Sequence, residues 1–225
     1  MSTNVYIDGF NLYFCAVKYT SYKWLDLYAL SNALFPTKTI RKIKYFSAKV
    51  KALKHDPGAP TRQDTYWRAL KTIPQLEITK GNFVSWPKLM PQYPLAYVNN
   101  DYSKSPQKVQ VEKAEEKGSD VNLAGYLVYD NCIGEADDSV VISNDSDLAQ
   151  VIELVTGRLH RTVITVNPNR TANMRKDPKH CGMHKELQRV STQSILSINE
   201  KLLASSQFPS ILTDAMGTFS KPSSW

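Results

Sequence analysis

Four aspartates, Asp8, Asp120, Asp145 and Asp147, are the residues of this sequence whose type and placement could do chemistry. Asp8 follows a short apolar run at 5–7. Asp145 follows a second such run at 139–142, and Asp147 lies two residues further on. Asp120 opens a helical stretch after a Gly-containing turn. Carboxylates crowded together repel. They stay ionised together only with cations between them, or else some are held protonated. An all-oxygen ligand set suits Mg2+ or Mn2+, with waters and a substrate phosphate completing the shell. Such a metal activates a water and neutralises charge on a phosphodiester during in-line attack. Each acid also has an ordinary use. Asp8 before Gly9 reads equally as a turn residue. Asp120, Asp145 and Asp147 could also be helix caps, and Asp137 and Asp138 read as surface acids rather than ligands.

The acids can meet only if the chain sets their strands side by side. β-prone runs at 5–7, 43–50, 76–79, 139–142 and 162–166 alternate with helical patterns near 11 and over 26–34, 61–71, 120–130, 149–155 and 185–190. That alternation predicts an α/β fold with a mainly parallel central sheet. Asp26 is placed to cap the helix at 26–34. Val109 and Val111 alternate as on a short strand. Residues 86–107 carry Pro87, Pro91, Pro94 and Pro106 and read as a loop or insertion. In open parallel sheets a ligand crevice lies beyond the carboxyl ends of diverging strands. If 5–7 and 139–142 are neighbours, Asp8, Asp145 and Asp147 converge there.

The chain has 225 residues, enough for one core without a metal or disulfide staple. No apolar run approaches the roughly 20 residues that span a bilayer. No basic region precedes the first apolar run, which speaks against a secretory signal. Cys15, Cys132 and Cys181 are odd in number and fit thiols in a reducing cytoplasm. The formal charge is +7, which favours anionic partners. From 27 to 55 there is no acid, while Lys38, Arg41, Lys42, Lys44, Lys49, Lys51 and Lys54 all fall there. That stretch reads as a phosphate track or equally as a solvated surface. Arg170, Arg175, Lys176 and Lys179 form a second basic segment nearer the presumed crevice. Trp86, Tyr93, Tyr97 and Tyr102 could stack on unpaired bases, although packing of their loop onto the domain is the plainer reading. Cys181 and His184 have a zinc-like spacing without a second pair.

Residues 5–13 (VYIDGFNLY), 115–121 (EEKGSDV) and 143–148 (SNDSDL) resemble the three motifs of NYN-domain proteins, a branch of the PIN-like nuclease superfamily. Residues 45–49 and the pair Arg62-Gln63 resemble the family too, so the similarity covers roughly residues 3–190. The resemblance implies a three-layer α/β/α sandwich of the PIN-like kind. It implies a Mg2+- or Mn2+-dependent endoribonuclease, with Asp8, Asp120, Asp145 and Asp147 as the metal cluster. Asn11 matches a polar residue that orders the site, Ser143 and Asn144 the segment that positions the acids, and Glu116 an accessory acid. Arg62, Lys49, Lys117, Arg170, Arg175 and Lys176 are then the expected nucleic-acid contacts.

On this reading residues 1–190 are the nuclease domain, interrupted at 86–107. Residues 191–225 are an extension that packs on it or frays. The expected setting is cytoplasmic, with RNA as partner, no membrane, and room for a homo-oligomer or an antitoxin or defence-system partner. The alternative is a catalytically inactive RNA-binding or protein-interaction module on the same fold. A phosphatase with an aspartyl nucleophile would need an acid where Phe10 stands.

Overall fold

The computed structural model describes residues 2–52, 54 and 56–225. Among them, the strands β1 (Ser2–Asp8), β2 (Thr39–Ala48), β3 (Leu76–Pro91), β4 (Lys108–Lys117), β5 (Asp138–Ile142), β6 (Thr162–Val166) and β7 (Gln193–Ile195) form one sheet. Their order is β4-β3-β2-β1-β5-β6-β7. Every neighbouring pair is parallel except β3 with β4. The connections run outward from β1 in both directions, so the sheet has its switch point between β1 and β5.

Alternation along the strands builds two cores. Val5 and Ile7 of β1, Val140 and Ile142 of β5, and Ile164 and Val166 of β6 belong to one apolar cluster. Tyr6, Val141 and Val163 belong to the other. The first face is covered by α1 (Gly9–Leu12), α2 (Leu27–Leu34), α3 (Ala59–Leu70) and α9 (Glu200–Ser205). The second is covered by α4 (Ser119–Cys132), α5 (Ala149–Glu153) and α8 (Lys185–Val190). Strands buried on both faces read as short continuous apolar runs, which is how they stand in the sequence. The fold is therefore mixed α/β with a mostly parallel sheet flanked by helices, and it fits a three-layer α/β/α sandwich. No helix among the described residues is long and apolar enough to cross a membrane.

Local chemistry sets several boundaries. Asp26 caps α2, its Oδ1 accepting from the backbone N–H groups of Tyr28 and Ala29 at 2.8 and 3.0 Å, as its position in the sequence predicts. Gly118, at φ +96°, turns the chain from β4 into α4. Gly9 follows Asp8 where α1 crosses β2. A Cβ there would lie 2.6 Å from the Tyr45 hydroxyl and 2.7 Å from the Phe46 carbonyl oxygen. We expect Gly9→Ala to cost about 1–3 kcal/mol in urea unfolding through this overpacking; a change under 0.5 kcal/mol would show that the contact is soft.

The proline-rich stretch departs from its expected form. β3 pairs with β2 only as far as Gly81, and from Asn82 to Pro91 its partner is β4. The two strands continue as a ribbon, leaving only residues 92–107 outside it. Pro87 and Pro91 are tolerated because this half of β3 has a single neighbour. Four residues apart, their nitrogens face the same edge, where no ladder N–H is needed. Two tyrosines of the tip stand out in solvent: Tyr93 is 92% and Tyr102 76% exposed.

Residues 191–225 contribute β7, α9 and the hairpin of β8 (Ile211–Asp214) and β9 (Gly217–Ser220). Phe208, Phe219 and Trp225 surround Trp24 at centroid distances of 5.8, 6.4 and 6.2 Å.

The basic stretch 38–54 is not a uniform track. Lys44 is 4% exposed, and its Nζ lies 2.5 Å from Oδ2 of Asp130, itself 3% exposed. The Tyr6 hydroxyl donates to the same oxygen at 2.7 Å. Lys38 pairs with Asp138, and Lys42 with Glu135 at 2.7 Å. Asp130, Glu135 and Asp138 are thus spent on lysines in and just before β2.

Candidate active site

β1 and β5 lie side by side, Ile7 opposite Ile142, so the residues that leave their carboxyl ends meet. Asp8 is the N-cap of α1, its Oδ1 accepting from the Asn11 N–H at 2.9 Å. Its Oδ2 accepts from the Ser143 hydroxyl at 3.1 Å. The same hydroxyl accepts from the Asp145 N–H at 3.1 Å. Asn11 Oδ1 accepts from the Asn144 N–H at 3.1 Å, tying α1 to the loop after β5. Asn144 then holds the next wall: its Nδ2 donates to the Gly182 carbonyl at 2.9 Å, and its Oδ1 accepts from the His184 N–H at 2.8 Å. Asn11, Ser143 and Asn144 therefore act as braces for the acids.

Asp120 enters from the first turn of α4. One carboxylate oxygen each from Asp8, Asp120 and Asp145 lies within 4.8 Å of the others. Asp147 stays outside this trio. It is exposed, and its N–H donates to Asp145 Oδ1 at 3.0 Å. Glu116 is occupied as a brace, its Oε1 accepting from the Ser119 N–H at 3.0 Å at the start of α4.

Burial raises the pKa of Asp8, and the Asp145 charge adds to it, while the hydrogen bonds from Asn11 and Ser143 oppose the rise. Asp120 is pushed up to about 6, first by burial and then by the charges of Asp8, Asp145, Glu116 and Asp147. Protonation thus relieves the crowding, so closeness of the three acids does not by itself make a metal site.

The acids end a cavity of about 850 Å³. Phe10, Phe14 and Phe83 wall it, with Cys15 beside them. Burial pushes the Cys15 thiol up to about 11, with Cys181 and Asp8 adding to the rise. These wall residues were missed in the sequence. The signal that could have found two of them is the helical spacing of Phe10 and Phe14 immediately after Asp8. Several of the expected nucleic-acid contacts are held by other side chains. Lys49 pairs with Asp64, and Arg62 holds both oxygens of Asp56 at 2.6 and 2.5 Å. Lys117 lies 3.7 Å from Glu115 and 5.5 Å from the Trp86 ring centroid. Arg170 donates to Asn173 at 3.0 Å, while Arg175 and Lys176 end the short helix α6 (Thr171–Lys176).

No family model matches the chain. It is 28% identical over 255 aligned positions, spanning all of this chain and 75% of the relative, to 6-hydroxy-3-succinoylpyridine 3-monooxygenase HspA of Pseudomonas putida strain S16. A crystal structure of a protein of unknown function from Vibrio parahaemolyticus is similar in fold, with a TM-score of 0.50 and 12% identity. That likeness covers 88% of this chain and 92% of the other.

The likeness, over the whole of this chain, to a protein named as a monooxygenase overturns the Mg2+- or Mn2+-dependent ribonuclease expected from the motifs. The physical reason the motifs misled is that aspartates crowded at a crevice relieve their repulsion by holding a proton as readily as by binding a metal.

Proposed function

We propose that this protein is an oxidoreductase that adds one atom of dioxygen to a small organic molecule in the acid-ended cavity. The observation that carries the reading is the likeness, over the whole chain, to a protein named as a monooxygenase. Monooxygenation puts one oxygen atom into the product and the other into water, consuming two electrons and two protons. A reduced nicotinamide or flavin is the class of donor that supplies the electrons.

The residues present do not fit a resident site for such a donor in its usual form. The nearest glycines, Gly118 and Gly125, are seven apart, so the Gly-x-Gly turn that cradles a dinucleotide is absent. An iron site of the two-histidine, one-carboxylate kind does not fit either, because the trio of described residues is all aspartate. What the chain's own residues supply is proton handling and shape. Asp120, its pKa raised to about 6, holds below that pH a proton to give as an oxygen atom becomes water. Burial, and after it the charges of Asp8 and Asp145, keep that proton in place. Phe10, Phe14 and Phe83 offer an aromatic substrate its faces.

The test uses 6-hydroxy-3-succinoylpyridine, the compound in the relative's name, with reduced nicotinamide and free flavin under 18O2. Oxygen uptake with one labelled atom in the product is expected. No label in the product from this compound or from other hydroxylated aromatic acids would overturn the reading.

We also propose that the sandwich is of the PIN-like type. Residues 1–190 would form its NYN domain, with an insertion around 86–107 and an extension at 191–225. Support comes from the placement of the three motifs, which all border the crevice at β1, β5 and α4. An experimental structure whose nearest matches by superposition lie outside PIN-like domains would refute this architecture without touching the proposed reaction.

A further inference from the structure

The acid-ended cavity has a neighbour of opposite charge. A second cavity of about 530 Å³ adjoins it, and Phe10, Phe14, Val50 and Lys51 line both. The first contains Asp8, Asp120, Asp145, Glu112 and Glu116 against Lys51 and Lys54. The second contains Lys18, Lys23, Lys51 and Arg62, with Asp56 as the one acidic side chain of its lining. Arg62 is neutralised there by its two bonds to Asp56. Lys18, Lys23 and Lys51 have no carboxylate partner among the described residues, and Lys18 instead sits 4.6 Å from the Phe14 ring centroid. The boundary between the two is aromatic: Phe10 and Phe14 stack at 6.3 Å with planes 24° apart, and Phe83 lies 6.4 Å from Phe10. The second cavity adds Tyr13, Tyr45, Tyr66 and Trp225.

We infer that the two cavities are one bipolar cleft for an aromatic molecule that carries a hydrogen-bond donor on its ring and a carboxylate on a side chain. The ring lies against Phe10 and Phe14 with its donor toward the aspartates. The carboxylate reaches Lys18 and Lys51. This inference rests on the proposed oxygenase only in taking the acid end as the reacting end. The charges select the molecule's orientation. A carboxylate placed at the aspartates would meet like charge, whereas at the lysines it forms charge-assisted hydrogen bonds.

The probes are 3-(4-hydroxyphenyl)propionate and its uncharged amide, titrated by calorimetry without any reductant. The acid is expected to bind at least tenfold more tightly than the amide. In Lys18→Gln/Lys51→Gln that ratio is expected to fall to near one, with the amide's affinity unchanged, which also shows that the variant is folded. Equal affinity of acid and amide for the parent protein, binding of neither, or a ratio that survives in the double variant would each overturn the cleft. Because binding is read without turnover, absence of oxygen chemistry would sink the proposed reaction and leave the cleft standing. Equal affinities would do the reverse.

Discussion

Asp120→Asn is expected to lower the rate of oxygen incorporation by about 100-fold or more while leaving a protein more stable than the parent at neutral pH. Asparagine keeps the shape but has no proton to give, and loss of a positioned acid typically removes a factor of about 10²–10⁴. The parent's own rate is expected to decline as pH rises through about 6, where burial and the neighbouring acids have placed the Asp120 titration. The stability effect has the opposite sign from an ion-paired carboxylate. The folded-state pKa of about 6 stands above the ordinary 3.8, so the folded state binds this proton more tightly than the unfolded chain does. Stability then falls as pH climbs from about 4 to about 6 and is lowest, for this group, above 6. Removing the charge gains back that loss. For a partly exposed side chain, solvent screening leaves it on the order of 1 kcal/mol. Urea unfolding at pH 4 and pH 7.5, beside initial rates across the same range, checks both halves. A variant with full activity, or one less stable than the parent at pH 7.5, would remove Asp120 from the role given to it.

Lys44→Met is expected to destabilise the fold by about 3–5 kcal/mol, although Lys44 lies on a basic strand that looks solvated in the sequence. Its ammonium is buried against Asp130 and rests 4.4 Å from the Tyr126 ring centroid. Without it the Asp130 carboxylate would stay buried with no cation against it among the described residues, held by the Tyr6 hydroxyl, and an uncompensated buried charge carries a penalty of that size. Against a typical total of about 5–15 kcal/mol, this is a large share, and the melting temperature should fall by about 10 °C. Lys44→Met/Asp130→Leu is expected to recover most of the loss, because the pair repays its own desolvation poorly and an apolar replacement removes the penalty altogether. Denaturant midpoints with unchanged slope would record the effect. A single variant within about 1 kcal/mol of the parent would mean that water reaches Asp130.

The strands, the helices and the Asp26 cap are legible in the linear chain because each depends on near neighbours. Alternating apolar residues, a capping side chain and a stop signal act within one or two turns of backbone. Asp8, Asp145 and Asp120 could also be placed at the ends of their elements for that reason. The ribbon of β3 and β4 could not be read. Pro87 and Pro91 forbid a central strand but permit a strand with one free edge, and only the departure of β3 from β2 at Gly81 makes that edge.

Charge was the least legible property. Lys44 and Asp130 stand 86 residues apart, and nothing near either one distinguishes a buried ion pair from two surface groups. The same holds for Lys49 and Arg62, whose local context suits a phosphate contact until Asp64 and Asp56 are seen beside them. The aspartate trio is the sharpest instance. Residue type and position along the chain told where the carboxylates would gather, since strand ends in a parallel sheet face one crevice. Whether that crowding is answered by a cation or by a shared proton depends on depth, on the braces from Ser143 and Asn11, and on the distance to the next acid. Those quantities arise from long-range packing, because desolvation and Coulomb repulsion act through space and take no account of order in the chain.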